Sequence, residues 1–217
     1  MREQVIKAIL DEKIIAIVRG VDSESVVRTA KALYEGGIRL IEVTFNQKDP
    51  DNFCKTADAI RAIRAEMGDR MFVGAGTVTS PELVQMAADA GALYIISPDT
   101  DAEVIKKARE LGLVSLPGAY TATEAKQAHN AGADFVKLFP CIEGAPAYVK
   151  ALSTPFNHIR FLAVGGVTAD NAALFLRSGA VGVGVGSSLV NRKWVEAGRF
   201  DLITAEAKKF IENIKNA

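Results

Sequence analysis

Short β-branched apolar runs alternate with amphipathic stretches along almost the whole chain. The runs fall at residues 14–18, 38–44, 71–76, 93–97, 113–117, 134–139, 159–164 and 181–185. Runs of this length, bounded by turn residues, read as buried strands. Between them lie segments with helical spacing, among them 82–90, 102–111 and 123–131. Several of these end at Gly: Gly36-Gly37, Gly91, Gly112, Gly132 and Gly179. Gly just past a helix accepts the left-handed backbone of a C-cap without steric cost. Pro81 and Thr123 fit helix starts. Residues 3–10 and 204–214 read as terminal helices.

From one run to the next the starts advance by 24, 33, 22, 20, 21, 25 and 22 residues. Strands alternating with helices at this spacing imply parallel βα units, and eight of them imply a (β/α)8 barrel, the TIM-barrel architecture. An open doubly wound sheet is the competing arrangement, but it usually has fewer strands. The chain has 217 residues, enough for one domain over 1–217 rather than two, with an extra helix at the N-terminus. Apolar residues make up 49%, which is enough to build a core. Lys and Arg balance Asp and Glu at 26 each, against the basic excess expected of a nucleic-acid binder. No apolar run approaches the roughly 20 residues of a membrane span. The first residues lead into an amphipathic segment rather than a signal-peptide core. Cys54 and Cys141 form no CxxC pair, so a reduced, cytoplasmic setting is expected.

In such a barrel the chemistry sits at the C-terminal ends of the strands, and side chains alternate in and out along each strand. Lys137 lies in the run Asp134-Phe135-Val136-Lys137-Leu138-Phe139. A Lys among apolar neighbours is expensive unless it is paired or loses its proton. It reads equally as an ion-paired or snorkelling Lys and as an amine that attacks a carbonyl to form a Schiff base. Glu42, in Leu40-Ile41-Glu42-Val43-Thr44, has Thr44 on its face. It is either the buried partner of Lys137 or a general acid/base. Arg19 closes the first strand in phase with Ile15 and Ile17. It would suit a bidentate grip on a carboxylate, although alone it reads as a surface Arg. Gly74-Ala75-Gly76-Thr77 ends the third strand. These glycines serve either tight packing or close approach of a ligand, with Thr77 as a hydrogen-bond donor. Gly165-Gly166 and Gly186-Ser187 follow the seventh and eighth strands. Glycine loops there, before helix starts, are the common phosphate site of this fold. His129 and His158 fall at the opposite end, and no zinc pattern is present. Cys141 has no His placed to activate it.

Taken in order, Ile17-Val18-Arg19, Gly36-Gly37-Ile38, Ile41-Glu42-Val43-Thr44, Gly74-Ala75-Gly76-Thr77-Val78, Ser97-Pro98, Pro117-Gly118, Lys137-Leu138-Phe139-Pro140, Gly165-Gly166-Val167 and Gly186-Ser187 cover nearly the whole chain. This series resembles the class I aldolases that cleave 2-keto-3-deoxy-6-phosphogluconate and its galactonate epimer. The resemblance implies a Schiff base on Lys137, acid/base work by Glu42, and a carboxylate grip by Arg19 and Thr77. It implies Phe139 beside the imine, Thr44 and Pro98 within the substrate site, and phosphate on Gly165, Gly166, Gly186 and Ser187. The products would be pyruvate and glyceraldehyde 3-phosphate, and some relatives also cleave 4-hydroxy-2-oxoglutarate. The protonated imine is the electron sink, so neither metal nor cofactor is required. The resemblance also implies a homotrimer.

The chain departs from that pattern in places. Ala163-Val164 stands where the gluconate enzymes usually carry Pro-Thr, as in the galactonate enzyme. Asp99 replaces a usual Gly, a longer turn runs from Phe45 to Pro50, and Cys141-Ile142-Glu143 is unusual. Two further readings of the same barrel stand beside the aldolase. One is a phosphosugar isomerase or epimerase with Glu42 as base; the other is a catalytically silent binding module.

Overall fold

The helix starts are dictated by local chemistry. In the computed structural model, which describes residues 1–142, 145–215 and 217, α1 (Arg2–Glu12) precedes β1 (Ile14–Val18). Asp22 caps α2 (Ser23–Glu35) by accepting from the N–H groups of Glu24 and Ser25 at 3.0 and 2.9 Å. After β2 (Leu40–Thr44), α3 (Phe53–Met67) and β3 (Phe72–Gly76), Ser80 caps α4 (Pro81–Asp89), with Pro81 in the first turn as the sequence predicts. Then come β4 (Tyr94–Ile96) and α5 (Ala102–Glu110). The next helix, α6 (Ala122–Asn130), starts earlier than its predicted bound. Thr121, not Thr123, is the cap, in a capping box with Glu124. Gly37, Gly91, Gly112, Gly132 and Gly179, each just past a helix, all have positive φ.

The predicted fifth strand, 113–117, is divided into β5 (Val114–Leu116) and β6 (Gly118–Ala119). Pro117 lies between them and has no N–H to give to a ladder, so the pairing changes hands there. Among the described residues, β5 pairs with β4 alone, and β6 with the next strand, β7 (Val136–Leu138), alone. The remaining elements are α7 (Ala145–Ser153), β8 (Phe161–Val164), α8 (Ala169–Arg177), β9 (Gly182–Val185), α9 (Arg192–Glu196) and α10 (Phe200–Lys215). Glu143 lies outside the described residues.

All strand pairs are parallel, in the order β5-β4-β3-β2-β1-β9-β8-β7-β6. The kink at Pro117 joins the two ends, so nine strands close eight βα units into the expected barrel. Hydrogen bonds bridge the seam, including Lys137 N–H to Pro117 O at 2.9 Å and Ser97 N–H to Leu116 O at 3.2 Å.

Two apolar clusters fill the molecule. The inner one joins Ile15, Leu40, Tyr94, Val114, Leu116, Phe135 and Leu162 inside the barrel to Val5, Ile6 and Ile9 of α1. The predicted N-terminal helix is thus a stopper over the N-terminal end of the strands. The outer cluster packs the opposite faces of the strands, such as Ile41, Val73 and Ile95, against the helices. Among the described residues no helix is long and apolar enough to cross a membrane.

Candidate active site

Above the apolar plug, the inward-facing positions change character. The register sets Ile17 beside Glu42 and Glu42 beside Gly74, while Lys137 lies between Gly118 and Leu162. A cavity of about 650 Å³ opens at this end of the barrel. Its wall includes Arg19, Glu42, Thr77, Pro98, Lys137 and Phe139, and the glycine loops after β8 and β9.

Glu42 is 1% exposed and Lys137 is 7% exposed. Burial pushes the Glu42 carboxyl up, against the opposing pull of Lys137 and Arg19. Burial pushes the Lys137 amine down; Glu42 opposes this, Arg19 adds to it and Asp99 opposes it. The two groups feel each other, yet the carboxylate is not consumed by a structural bond. Glu42 Oε2 is buried with no hydrogen-bond partner among the described residues. The Lys137 ammonium sits 4.7 Å from the centre of the Phe139 ring. A neutral amine is the nucleophilic form, and a carboxyl with a raised pKa can hold or give a proton near neutral pH.

Glu42 has its place because β3 lacks side chains beside it. A Cβ on Gly76 would overlap Glu42 Oε1, and one on Gly74 would overlap the Tyr94 ring. Of the two sequence readings for these glycines, tight packing is the one observed, because protein side chains occupy the space a Cβ would take. Thr77, next in the chain, has a φ of 57°, unusual for a residue with a Cβ. Its carbonyl accepts from Gln47 Nε2 at 2.8 Å, which straps the turn to the loop after β2.

The two glycine loops form the outer wall. The N–H groups of Gly165, Gly166, Gly186 and Ser187 donate to no other described residue. Ser188 Oγ donates to Val167 O at 2.6 Å and staples one loop to the other. Asn171 holds the first loop from both sides, accepting from Thr168 N–H at 2.8 Å and donating to Gly166 O at 2.9 Å. Held N–H donors without partners are what an anion needs.

The chain matches the family described as "Aldolase: KDPG and KHG aldolase" over residues 5–206. It belongs to that family. It is 37% identical to the 2-dehydro-3-deoxy-6-phosphogalactonate aldolase of Escherichia coli strain K12 over 177 residues, 81% of this chain and 83% of the relative. It is 35% identical to the KHG/KDPG aldolase of the same organism, over 88% of this chain and 87% of the relative. A solved structure described as native KDPGal superposes with a TM-score of 0.84 at 33% identity, covering 94% of each chain. The KDPG aldolase of Legionella pneumophila, captured with pyruvate as a covalent carbinolamine intermediate, gives 0.84 at 25% identity over 96% and 97%. The chain is therefore an aldolase, a carbon–carbon lyase.

Of the residues the sequence singles out, the aldolase brings ten to the cavity wall: Arg19, Glu42, Thr77, Pro98, Lys137, Phe139, Gly165, Gly166, Gly186 and Ser187. Thr44 is not among them. It lies on a smaller adjoining cavity with Asn46 and Lys48, and its hydroxyl donates to Val18 O at 3.4 Å. His129 and His158 pack edge to face at the far end, 4.9 Å between ring centres, beside Asp134 and Arg160. Cys141 is buried with its Sγ 3.4 Å from Leu138 O, and burial raises its thiol pKa. Val164, which the sequence marks as a departure, also faces the cavity, whereas Arg192, at the start of α9, is a wall residue the sequence reading missed.

Tyr94 lies beneath Glu42, fully buried, with its hydroxyl donating to Ile41 O at 2.7 Å. Burial, with Glu42 adding to it, holds the phenol neutral. Tyr94→Phe is expected to lower stability by about 1 kcal/mol, the usual worth of such a bond. Equilibrium urea unfolding would read this; a midpoint at or above that of the parent contradicts the assigned role.

Proposed function

We propose that this aldolase cleaves a 2-keto-3-deoxy-6-phospho sugar acid to pyruvate and glyceraldehyde 3-phosphate by Schiff-base chemistry, with 2-dehydro-3-deoxy-6-phosphogluconate as substrate. The observation that carries this is the pair of Lys137 and Glu42, both buried in the cavity wall, with Glu42 Oε2 left without a hydrogen-bond partner among the described residues. Lys137 Nζ adds to the C2 ketone, giving a carbinolamine, and water leaves to give the protonated imine. A base takes the proton from the C4 hydroxyl as the C3–C4 bond breaks. The bonding electrons pass into the imine, giving the enamine of pyruvate and free aldehyde. The enamine takes a proton at C3, and water releases pyruvate from Lys137. Glu42 is the group placed to move these protons, directly or through a water. Arg19 and Thr77 hold the carboxylate, with Pro98 and Phe139 beside the imine. Gly165, Gly166, Gly186 and Ser187 take the phosphate.

The same imine chemistry serves 4-hydroxy-2-oxoglutarate, which would give pyruvate and glyoxylate. Val164 favours a second reading, the galactonate epimer. Its side chain presents only methyl groups to the cavity and packs toward Gly184, where an added Cβ would lie 2.8 Å from Val164 Cγ2. A hydroxyl missing from a pocket shifts discrimination between epimers. The homotrimer that the resemblance implies and the cytoplasmic setting expected from the sequence belong to this proposal. The exposed aromatic side chains of Tyr120, Phe139 and Tyr148 beside the cavity support the assembly.

Incubation with pyruvate and borohydride, followed by peptide mapping, tests the mechanism. A stable adduct on Lys137 is expected; a folded protein with no adduct there overturns it. Rates on the two phosphorylated epimers, measured side by side, decide between the two substrates.

A further inference from the structure

We infer that Arg192 is a specificity residue that reads the charge of the substrate's phosphate at the outer end of the cavity, and that Glu196 holds it ready and competes with the ligand for it. This rests on the substrate reading above and adds to the glycine cradle a residue outside it.

The wall carries three cationic side chains, Arg19, Lys137 and Arg192, and one carboxylate, Glu42. Arg19, Lys137 and Glu42 form one group, since each of the two buried ones feels the other two. Arg192 is absent from that group and lines the wall with Gly186, Ser187, Ser188 and Val190. A substrate with a carboxylate at one end and a phosphate at the other needs a cation at each end. The glycine loops supply N–H dipoles but no net charge. Without Arg192, a phosphate close to a dianion would rest on dipoles alone.

The arginine side chain is largely exposed, and a surface ion pair one helical turn away orients it. Asn191 caps its short helix by accepting from Lys193 N–H at 2.9 Å. Arg192 Nε donates to Glu196 Oε1 at 2.6 Å. A guanidinium has five N–H donors in a planar fork, and this bond uses one. The others are left for a second anion, the arrangement that suits phosphate. Glu196 orients the fork but also offsets its charge, so the two side chains predict opposite outcomes on mutation.

The test is a pair of variants assayed on a phosphorylated and an unphosphorylated 2-keto-3-deoxy sugar acid. In Arg192→Ala, KM for the phosphorylated substrate is expected to rise about tenfold, because one charge-assisted contact is lost. The unphosphorylated substrate is expected to keep its KM, and inhibition by inorganic phosphate to weaken in step. In Glu196→Gln, KM for the phosphorylated substrate is expected to fall, and inorganic phosphate to inhibit more strongly. An unchanged ratio between substrates in Arg192→Ala, or an equal loss on both, overturns the assignment. Borohydride trapping of pyruvate in the same variant separates the two possible failures. With an adduct on Lys137, an unchanged ratio refutes only the role of Arg192. With no adduct in variant or parent, the aldolase mechanism itself has failed.

Discussion

Lys137→Met is expected to lower kcat for cleavage by at least about 10⁴-fold, since no other group on the cavity wall forms an imine and the electron sink is lost with it. The same variant is expected to be more stable than the parent. Burial depresses the amine pKa in the folded state, so the unfolded chain binds the proton more tightly. The unfolded chain therefore holds more protons from the depressed folded pKa up to the ordinary value of 10.5. Stability rises with pH through that window. Below that window the amine imposes its full destabilisation. Met fills the same volume without a charge. Thermal unfolding at pH 7 should give a higher Tm for Lys137→Met, and the gap should close as pH approaches 10.5. A lower Tm would mean that removing the Lys137 charge from beside buried Glu42 costs more than relieving the amine's desolvation returns.

Gly76→Ala is expected to lower kcat about 10²–10³-fold, although it adds one methyl group and removes nothing. The new Cβ would overlap Glu42 Oε1, so the carboxylate must leave its position beside Lys137. Removing a general acid/base typically loses about 10²–10⁴-fold. The backbone at Gly76 is not left-handed, so Ala meets no torsional strain and the clash acts alone. Forcing a methyl into a packed wall also destabilises by about 1–3 kcal/mol. Glu42→Gln is the control. It should lose comparable activity while keeping its stability, because it relieves a buried carboxylate of its charge. Initial rates and urea unfolding of the two variants distinguish displacement from deletion. Full activity in a folded Gly76→Ala would remove Glu42 from the mechanism.

Much of this site was legible because a strand has a period of two. Counting inward from Ile15 and Ile17 reaches Arg19, and the same count places Glu42 and Lys137 on the inner face. The phase fails for Thr44, one step beyond Glu42. Strands in a barrel tilt against its axis, so successive inward residues move around the mouth as well as up. Thr44 is carried past the main cavity into the adjoining one. Other misses had signals that were present but unread. Pro117 inside an apolar run marks the break between β5 and β6. Thr121 with Glu124 three residues on is a capping-box pattern that outranks Thr123. Arg192 left no signal. It stands in a five-residue helix, too short for periodicity, and reaches the cavity only through the path of the loop before it.

The stopper of Val5, Ile6 and Ile9 also dictates a kinetic order. A cavity closed at its base has one doorway. Lys137 lies toward the closed end, with the glycine loops and Arg192 nearer the opening. Once the bond breaks, the aldehyde is the outer fragment and must depart first, while pyruvate stays tethered behind it. In synthesis the sequence reverses, and pyruvate must enter before the aldehyde shuts it in. An aldehyde that arrives first occupies the doorway and blocks turnover, so excess glyceraldehyde 3-phosphate should inhibit condensation and added pyruvate should relieve it.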